Sequence, residues 1–516
     1  MALFERNHAE PILDMLTPYL ADKRWFAAKG HHIERIDILE QGEWHTETGH
    51  WLLTLIDVHC TDIPPQTYFL PLAICREDNA GEDKLKSLES WSLAWVREEE
   101  RGGLLYEAFG DDQFCRTLVR SMGQNVNLPF GEGQIEFRAS HLFGELADCV
   151  EEPVHHPALE MSHTAVCFGN RLFLKGYRRL QTGTNPEVEV GRFLTERSPC
   201  SHIVPVVGAA EFRRADGQML TLALLQAYVE NQGIGWNFVV DHLERFLTEQ
   251  LAEPAPHAVE SPDSFHGFLL SLMDILGRRT AELHQAFGHS VGEVAFEPEP
   301  ITPEDLVTWS TRLHADAVGI LDILKNQGND LPVELRSAMD HLLTLRPILL
   351  DHISRLATMD IVAAKMRYHG DYHLGQVLLV KNDFIITDFE GEPLRSMEER
   401  RQKHSPLRDV AGMLRSFSYA ATVATNRVTT ERPADRRRLG PMVQAWEQEA
   451  TEVFLKGYRA AIQGCPGWPV DPNAAEQLIQ FFIIEKALYE LRYEMANRPD
   501  WLSIPIFSLI RKLEQQ

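Results

Sequence analysis

The stretch His369-Gly370-Asp371-Tyr372-His373-Leu374-Gly375-Gln376, followed by Asp388-Phe389-Glu390, decides how this chain is read. Asp371 is a carboxylate suited to accept the proton of an attacking hydroxyl, and Gln376, five residues on, offers a neutral amide oxygen. Two short β-rich runs, Val377 to Val380 and Phe384 to Thr387, flank Lys381-Asn382-Asp383. If Lys381 to Asp383 is a three-residue hairpin loop, Gln376 and Asp388 face each other across an antiparallel pair, with Cα atoms roughly 4.5 to 5.5 Å apart. Oxygen atoms from both then reach one Mg²⁺, or a closely spaced pair, at about 2.1 Å. A base beside two hard oxygen donors is the equipment of phosphoryl transfer.

A phosphoryl donor also needs a cation for its phosphates, and Lys175 in Leu172-Phe173-Leu174-Lys175-Gly176 is the candidate. It lies in the strand expected over Arg171 to Gly176, which follows Ala165 to Phe168 through Gly169-Asn170, read as a two-residue hairpin link. Asn185-Pro186-Glu187 then opens a helix through Glu196, with Asn as N-cap and Pro at the first helical position. A strand lysine held by a helix glutamate and serving the α/β-phosphates of ATP has this order. Glu189, four residues before Phe193, shares the sheet-facing side and is favoured over Glu187 as the partner. Met161-Ser162-His163-Thr164 stands where a glycine-rich loop is expected, so the hydroxyls of Ser162 and Thr164 are assigned to the phosphates. Strands near Val204 to Phe212 and Met219 to Leu225 complete the block, and Gln226 and Tyr228, just beyond, are assigned to the adenine.

Outward from this block, residues 1–130 read as a small α+β unit, with a short helix around Ile12 to Leu20 and strands at Ile33 to Leu39, Trp51 to Val58 and Tyr68 to Cys75. Leu104 to Met122 carries a helical period. Beyond Glu230 the texture is helical: Trp236 to Leu251, Phe265 to Phe287, Pro303 to Leu324, Val333 to Ala357, Leu407 to Val423, Met442 to Ile462 and Ala474 to Ala496. The expected domains are 1–130, 131–228 and 229–516, in keeping with 516 residues and two or three cores. The 75 acidic against 50 basic residues leave a net charge of −25, which repels a polyanion and argues against nucleic acid. Seven scattered cysteines without a CxxC pair read as reduced thiols in a cytoplasmic protein. No uncharged apolar run approaches ~18 residues, so neither export nor a membrane span is expected.

Near the end of the chain, Tyr489, Tyr493 and Asn497 share one helix face, with Arg498 beside them and Trp501 beyond Pro499. Glu490, Glu494 and Arg498 form an adjacent strip. Aromatic rings suit sugar C–H faces, while Glu and Arg suit vicinal hydroxyls, so Tyr489, Glu490, Tyr493 and Arg498 are assigned to an acceptor sugar. His369 and His373, on either side of Asp371, join that set. Asp409, opening a helix after Pro406, is expected to brace the backbone from His369 to Asp371 or to serve as an acid in the first helical turn.

HGDYHLGQVL with ITDFEGEP, Leu407-Arg408-Asp409-Val410-Ala411-Gly412-Met413-Leu414, the run from Tyr489 to Glu494 with Asn497 to Leu502, and Arg24-Trp25-Phe26-Ala27-Ala28-Lys29-Gly30 together resemble the bacterial maltokinases. The resemblance implies an α+β, bilobal fold like that of eukaryotic protein kinases and aminoglycoside phosphotransferases, with an added N-terminal α+β cap and a mostly helical C-lobe. It further implies Mg²⁺-dependent transfer from ATP to the anomeric hydroxyl of maltose, and a place beside trehalose synthase in a route from trehalose to α-glucan. Gln376 in place of Asn, Glu390 in place of the Gly of DFG, and the missing GxGxxG depart from protein kinases. An aminoglycoside or amino-sugar (glucosamine-like) kinase is the rival enzyme, since Glu490 and Glu494 leave an acidic pocket open. A catalytically silent kinase-like scaffold is the rival of another class, opposed by intact Lys175, Asp371, Gln376 and Asp388.

Overall fold

The computed structural model describes residues 9–76, 81–98, 101–157, 163–252, 263–327 and 333–514. The chain forms two compact units, Met1–Glu196 with Val204–Glu230, and Arg197–Ile203 with Asn231–Gln516.

The first unit holds two antiparallel sheets. One is built on His50–Cys60, which pairs with Ile33–His45, Ile63–Phe69 and Leu72–Arg76, and extends through Arg101–Glu107 to Ser92–Glu98. The other runs in the order Asn127–Phe130, Gly133–Ala139, Val206–Arg213, Met219–Ala227, Leu172–Gly176, Thr164–Phe168, Val154–His155. The expected helix from Leu104 to Met122 divides. Arg101–Glu107 is a strand, and the helix Asp112–Gly123 starts at Asp111, whose carboxylate accepts the Gln113 N–H. Leu104-Leu105-Tyr106 lies between two strands and is apolar on both faces, a pattern that carries no period of its own. Phe168 pairs with Leu172, so Arg171 joins Gly169 and Asn170 in a three-residue turn rather than opening the strand.

Arg179–Leu180 leaves the second sheet and pairs with Ile63–Phe69 of the first, which makes one body of both. Arg178, at that crossing, is fully buried. It donates to Thr164 Oγ1 at 2.7 Å, forms an ion pair with Glu107, and sits 4.3 Å over the Phe109 ring. Tyr19 donates to the same glutamate. A buried charge deprived of its partner costs about 3 to 5 kcal/mol, whereas replacing both charges by apolar groups can be neutral. Arg178→Met is therefore expected to lower the unfolding free energy of the full chain by about that amount, and Arg178→Met with Glu107→Leu to recover much of it. Denaturant unfolding measures both; a double variant as unstable as the single one would remove the ion pair as the cause.

In the second unit the long helix Leu407–Thr429 packs against Gly235–Ala252, Arg436–Ala461 and Pro472–Asn497, and most of its residues are buried. The expected helix from Val333 to Ala357 is two, Val333–Thr344 and Arg346–Arg355, because Pro347 has no N–H to bond the Leu343 carbonyl four residues back, whereas near the start of a new helix that N–H is not needed. A further helix, Ser503–Glu514, follows the aromatic stripe. The segment from Met366 to Glu392 is tied to the N-terminal half of Leu407–Thr429 at His369, Gly370 and Leu374, and then forms the hairpin Val377–Val380 with Asp383–Ile386.

Candidate active site

The loop that carries Asp371 is read out by one helix face. Asp409, Gly412 and Ser416 lie at i, i+3 and i+7 on Leu407–Thr429, so they stack on one side of it. The Asp409 carboxylate, buried, accepts the N–H groups of His369 at 2.7 Å and Gly370 at 3.0 Å, and meets His284 Nε2 at 3.1 Å. Ser416 Oγ accepts the Leu374 N–H at 3.0 Å. Gly412 lets the helix approach so closely that a Cβ there would stand 2.6 Å from the Tyr372 carbonyl oxygen. Gly370 itself has φ +92°, a conformation open to glycine, and reverses the chain just before Asp371.

The hairpin differs from expectation by one residue. Val377 pairs with Ile386 and Val380 with Asp383, leaving Lys381-Asn382 as a two-residue turn with both φ positive. Such a turn matches strand twist, and Asn tolerates the left-handed region. Gln376 therefore stands opposite Thr387, whose N–H it accepts at 3.0 Å, rather than opposite Asp388. Asp388 follows in the left-handed region at φ +67°, off the strand, which turns its carboxylate away from simple strand alternation. Both remain hard oxygen donors, partly exposed, and chemically suited to Mg²⁺.

Lys486, on Pro472–Asn497, did not figure in the sequence reading. Its ammonium lies 3.0 Å from Asp371 Oδ1 and 2.7 Å from Glu392 Oε1, and 4.9 Å over the Tyr489 ring. The signal was there: Lys486 precedes Tyr489 by three residues and Tyr493 by seven, on the same helix face. Burial works against the ionised form of Asp371, but Lys486, aided by His373, outweighs it and holds the carboxyl at about 2. Behind this pair, Glu392 also meets Arg395, and Glu485 meets Arg408 at 3.0 Å and Arg395 at 3.7 Å. Three carboxylates (Asp371, Glu392, Glu485) thus face three cations (Lys486, Arg395, Arg408).

Several acceptor assignments change. His369 is buried, its Nε2 against the Thr387 carbonyl at 3.0 Å and its ring against Phe389 and Tyr372, so it is a loop spacer and not a sugar contact. Glu490 is buried too, bound to Arg415 by two donors at 3.0 and 2.6 Å, and Glu494 accepts from Tyr419 and Arg498. The strip expected at a cleft is a helix-packing seam against Leu407–Thr429, because charged groups also alternate on buried faces once each has a partner. Tyr489 and Tyr493 stack at 6.5 Å and are partly exposed, with Arg498 5.2 Å over Tyr493. His373 is partly exposed, its Nδ1 accepting the Gly375 N–H at 3.0 Å, and burial holds it below the usual imidazole range.

In the first unit, Lys175 Nζ donates to Glu187 Oε1 at 2.5 Å and Tyr177 OH to Glu187 Oε2 at 2.5 Å. Glu187, not Glu189, is the partner, because Glu187, Val190, Gly191 and Leu194 form the helix face that is buried. Asn185 caps this helix as expected, accepting the Glu187 N–H at 2.8 Å. The Thr164 hydroxyl is taken by Arg178 and is withdrawn as a phosphate contact. Ser162 lies outside the described residues. Gln226 is buried on Met219–Ala227 between its two neighbouring strands, and the Tyr228 N–H donates to the Arg171 carbonyl at 2.9 Å.

Residues 19–111 match the family of the maltokinase N-terminal cap domain. The fold is kinase-like, preceded by this cap. Among solved structures, a glucosamine kinase in complex with glucosamine, ADP and inorganic phosphate superposes with a TM-score of 0.62 at 18% identity, covering 95% of this chain and 97% of that one. Among curated proteins, the chain is 23% identical over 300 residues to the glucosamine kinase of Streptacidiphilus jiangxiensis, covering 58% of this chain and 59% of that protein. It is 22% identical over 371 residues to that of Mycolicibacterium smegmatis, covering 71% and 80%. The expectation of a kinase-like fold with an N-terminal cap and a helical C-terminal region is met. No helix among the described residues is long and apolar enough to cross a membrane.

The Lys486 contact has a pH signature. With Lys486→Met, the burial that disfavours the Asp371 carboxylate remains while its main opposing charge is gone, so the Asp371 pKa rises. The acid limb of kcat/KM is expected to move up by about 1 to 3 pH units, alongside a fall in kcat. A profile that falls uniformly at all pH values, with no shifted limb, would detach Lys486 from the ionisation of Asp371.

Proposed function

We propose that this chain is a cytoplasmic, Mg²⁺- and ATP-dependent sugar kinase that phosphorylates maltose on its anomeric hydroxyl, giving maltose 1-phosphate for α-glucan synthesis from trehalose. The observation that carries the kinase reading is Asp371, held ionised by Lys486 on a loop whose backbone is braced by Asp409. In this reading residues 1–130 are the cap, 131–228 bind the nucleotide and 229–516 carry the chemistry. Lys175, oriented by Glu187, neutralises phosphate charge, and the backbone around Gln226 and Tyr228 serves the adenine. Gln376 and Asp388 would hold Mg²⁺, which when bound would supply charge neutralisation on the transferring phosphoryl group.

Asp371 accepts a hydrogen bond from the sugar hydroxyl and aims its oxygen at the γ-phosphorus. As the new O–P bond forms and the bond to ADP breaks, the hydroxyl proton passes to Asp371 and then to solvent. A carboxyl near 2 is a weak base, which suits a loose transition state in which the nucleophile loses its proton late and orientation matters more than basicity. Lys486 keeps Asp371 ionised and offers its remaining donor capacity to the acceptor. Tyr489 and Tyr493 supply flat faces for a second sugar ring, and Arg498 and His373 supply polar contacts.

The names of the relatives favour a second reading, glucosamine as acceptor. Charge matching supports the neutral sugar. Asp371, Glu392, Glu485, Glu490 and Glu494 each have a cation within hydrogen-bonding reach, so each of these five already has a counter-charge before any ammonium group arrives.

Two measurements test this. Asp371→Asn is expected to lower kcat by roughly 100- to 10,000-fold while ATP binding is kept, since the amide keeps shape and loses the proton acceptor; near-normal turnover would sink the assignment. ADP release across maltose, glucose, glucosamine and kanamycin is expected to favour maltose in kcat/KM, with a non-reducing product phosphorylated at the anomeric oxygen. A 6-phosphate, or a preference for glucosamine, would reject maltose while keeping the kinase chemistry.

A further inference from the structure

The strand pair Ile33–His45 and His50–Cys60 ends in a cluster unrelated to phosphoryl transfer. Its last rungs pair Glu43 with Leu52, Trp44 with Trp51 and His45 with His50. Side chains alternate along each strand, and Trp44 and Trp51 point into the core. Glu43, His45 and His50 are therefore exposed on the opposite face, with the two histidines directly across from each other.

Both imidazoles aim Nε2 at one carboxylate oxygen. Glu43 Oε2 lies 2.9 Å from His45 Nε2 and 3.4 Å from His50 Nε2, and the rings stack at 3.8 Å with 20° between planes. The three ligand atoms fall within 4.8 Å of one another. Tetrahedral Zn²⁺ with bonds of about 2.0 to 2.1 Å sets neighbouring donors roughly 3.3 Å apart, so the two edges of this triangle that meet at Glu43 are already close to coordination length. The turn is also pinned in advance: Thr46 accepts with Oγ1 from the N–H groups of Thr48 and Gly49 at 3.3 and 3.2 Å, and its own N–H donates to the Gly49 carbonyl at 2.9 Å. Two protonated imidazoles stacked at this distance would repel, whereas two neutral ones presenting lone pairs to a shared cation attract it.

The geometry points to a divalent transition-metal site at Glu43, His45 and His50, with water as a fourth ligand. Two imidazoles and one carboxylate suit Zn²⁺, Ni²⁺ or Cu²⁺; Mg²⁺ and Ca²⁺ prefer all-oxygen shells, so this site is chemically separate from the Mg²⁺ of the nucleotide. Bound metal ties the ends of two strands whose inner faces hold Trp44 and Trp51, and so stabilises the cap.

The test is a Zn²⁺ titration of the metal-free full-length chain by calorimetry, without ATP or Mg²⁺, beside His45→Ala and His50→Ala. Wild type is expected to bind one more Zn²⁺ per chain than either variant and to show a rise in Tm of roughly 2 °C or more that both variants lack. Co²⁺ should give the visible absorption of a tetrahedral site in wild type alone. The metal-free Tm of the variants reports whether they fold, and their kinase turnover should equal that of wild type. Equal Zn²⁺ stoichiometry and affinity in His50→Ala, or saturation of the difference by Mg²⁺, would overturn the site.

Discussion

The carboxylate of Asp409 is the contact on which the loop carrying Asp371 depends. A loop that turns back on itself leaves N–H groups pointing inward, and a buried N–H without an acceptor costs about as much as a lost hydrogen bond or more. Asp409 satisfies two of them at once, from His369 and Gly370, and its charge is met by His284 from another helix, itself held by Tyr458 at 2.9 Å. With Ser416 accepting from Leu374 and Gly412 allowing close approach, a single helix face holds the backbone on both sides of Asp371. The Asp371 carboxylate can then be partly exposed and still fixed in direction, because what fixes it is main chain.

The second organising feature is charge paired within a poorly solvated region. Lys486 is shared by Asp371 and Glu392, Glu392 is shared with Arg395, and Arg395 reaches Glu485, which Arg408 also holds. In such a chain no carboxylate is left unmatched, and each ion is worth more than it would be in water. The same arrangement keeps Asp371 ionised. One network therefore sets the protonation of Asp371 and, under the proposed function, also bears on the choice of acceptor.

In the first unit an analogous economy places one arginine at a crossing. Arg178 lies three residues beyond Lys175, and its backbone carbonyl accepts the Phe69 N–H at 2.9 Å while its side chain joins Glu107 and Thr164. The strand of Lys175 thus continues directly into the cap sheet. A staple at the far end of that sheet, at His45 and His50, would act on the same body.

Much of this was legible in the chain. The helices from Gly235 to Asn497 announced themselves by apolar period, because a long amphipathic segment has enough turns to establish one. Asn185-Pro186 marked a helix start, and the kinase-like fold with its cap could be inferred from short motifs whose residue types are set by local chemistry. Where the reading failed, the deciding quantity was a distance between residues far apart in sequence or a single residue of register. Leu104 to Glu107 became a strand because neighbours on both sides buried it. Two left-handed residues, Lys381 and Asn382, moved Gln376 from Asp388 to Thr387. Glu187 displaced Glu189, and Arg415 claimed Glu490, because which face of a helix is buried depends on what packs against it. Lys486 meets Asp371 across 115 positions of chain; its helical spacing places it on the face of Tyr489 and Tyr493, but only packing brings that face to Asp371. Residue type and spacing determined which chemistry this protein can perform; the packing of helices and strands decided which of several similar side chains carries each charge, since electrostatic pairing follows separation in space and is indifferent to separation in sequence.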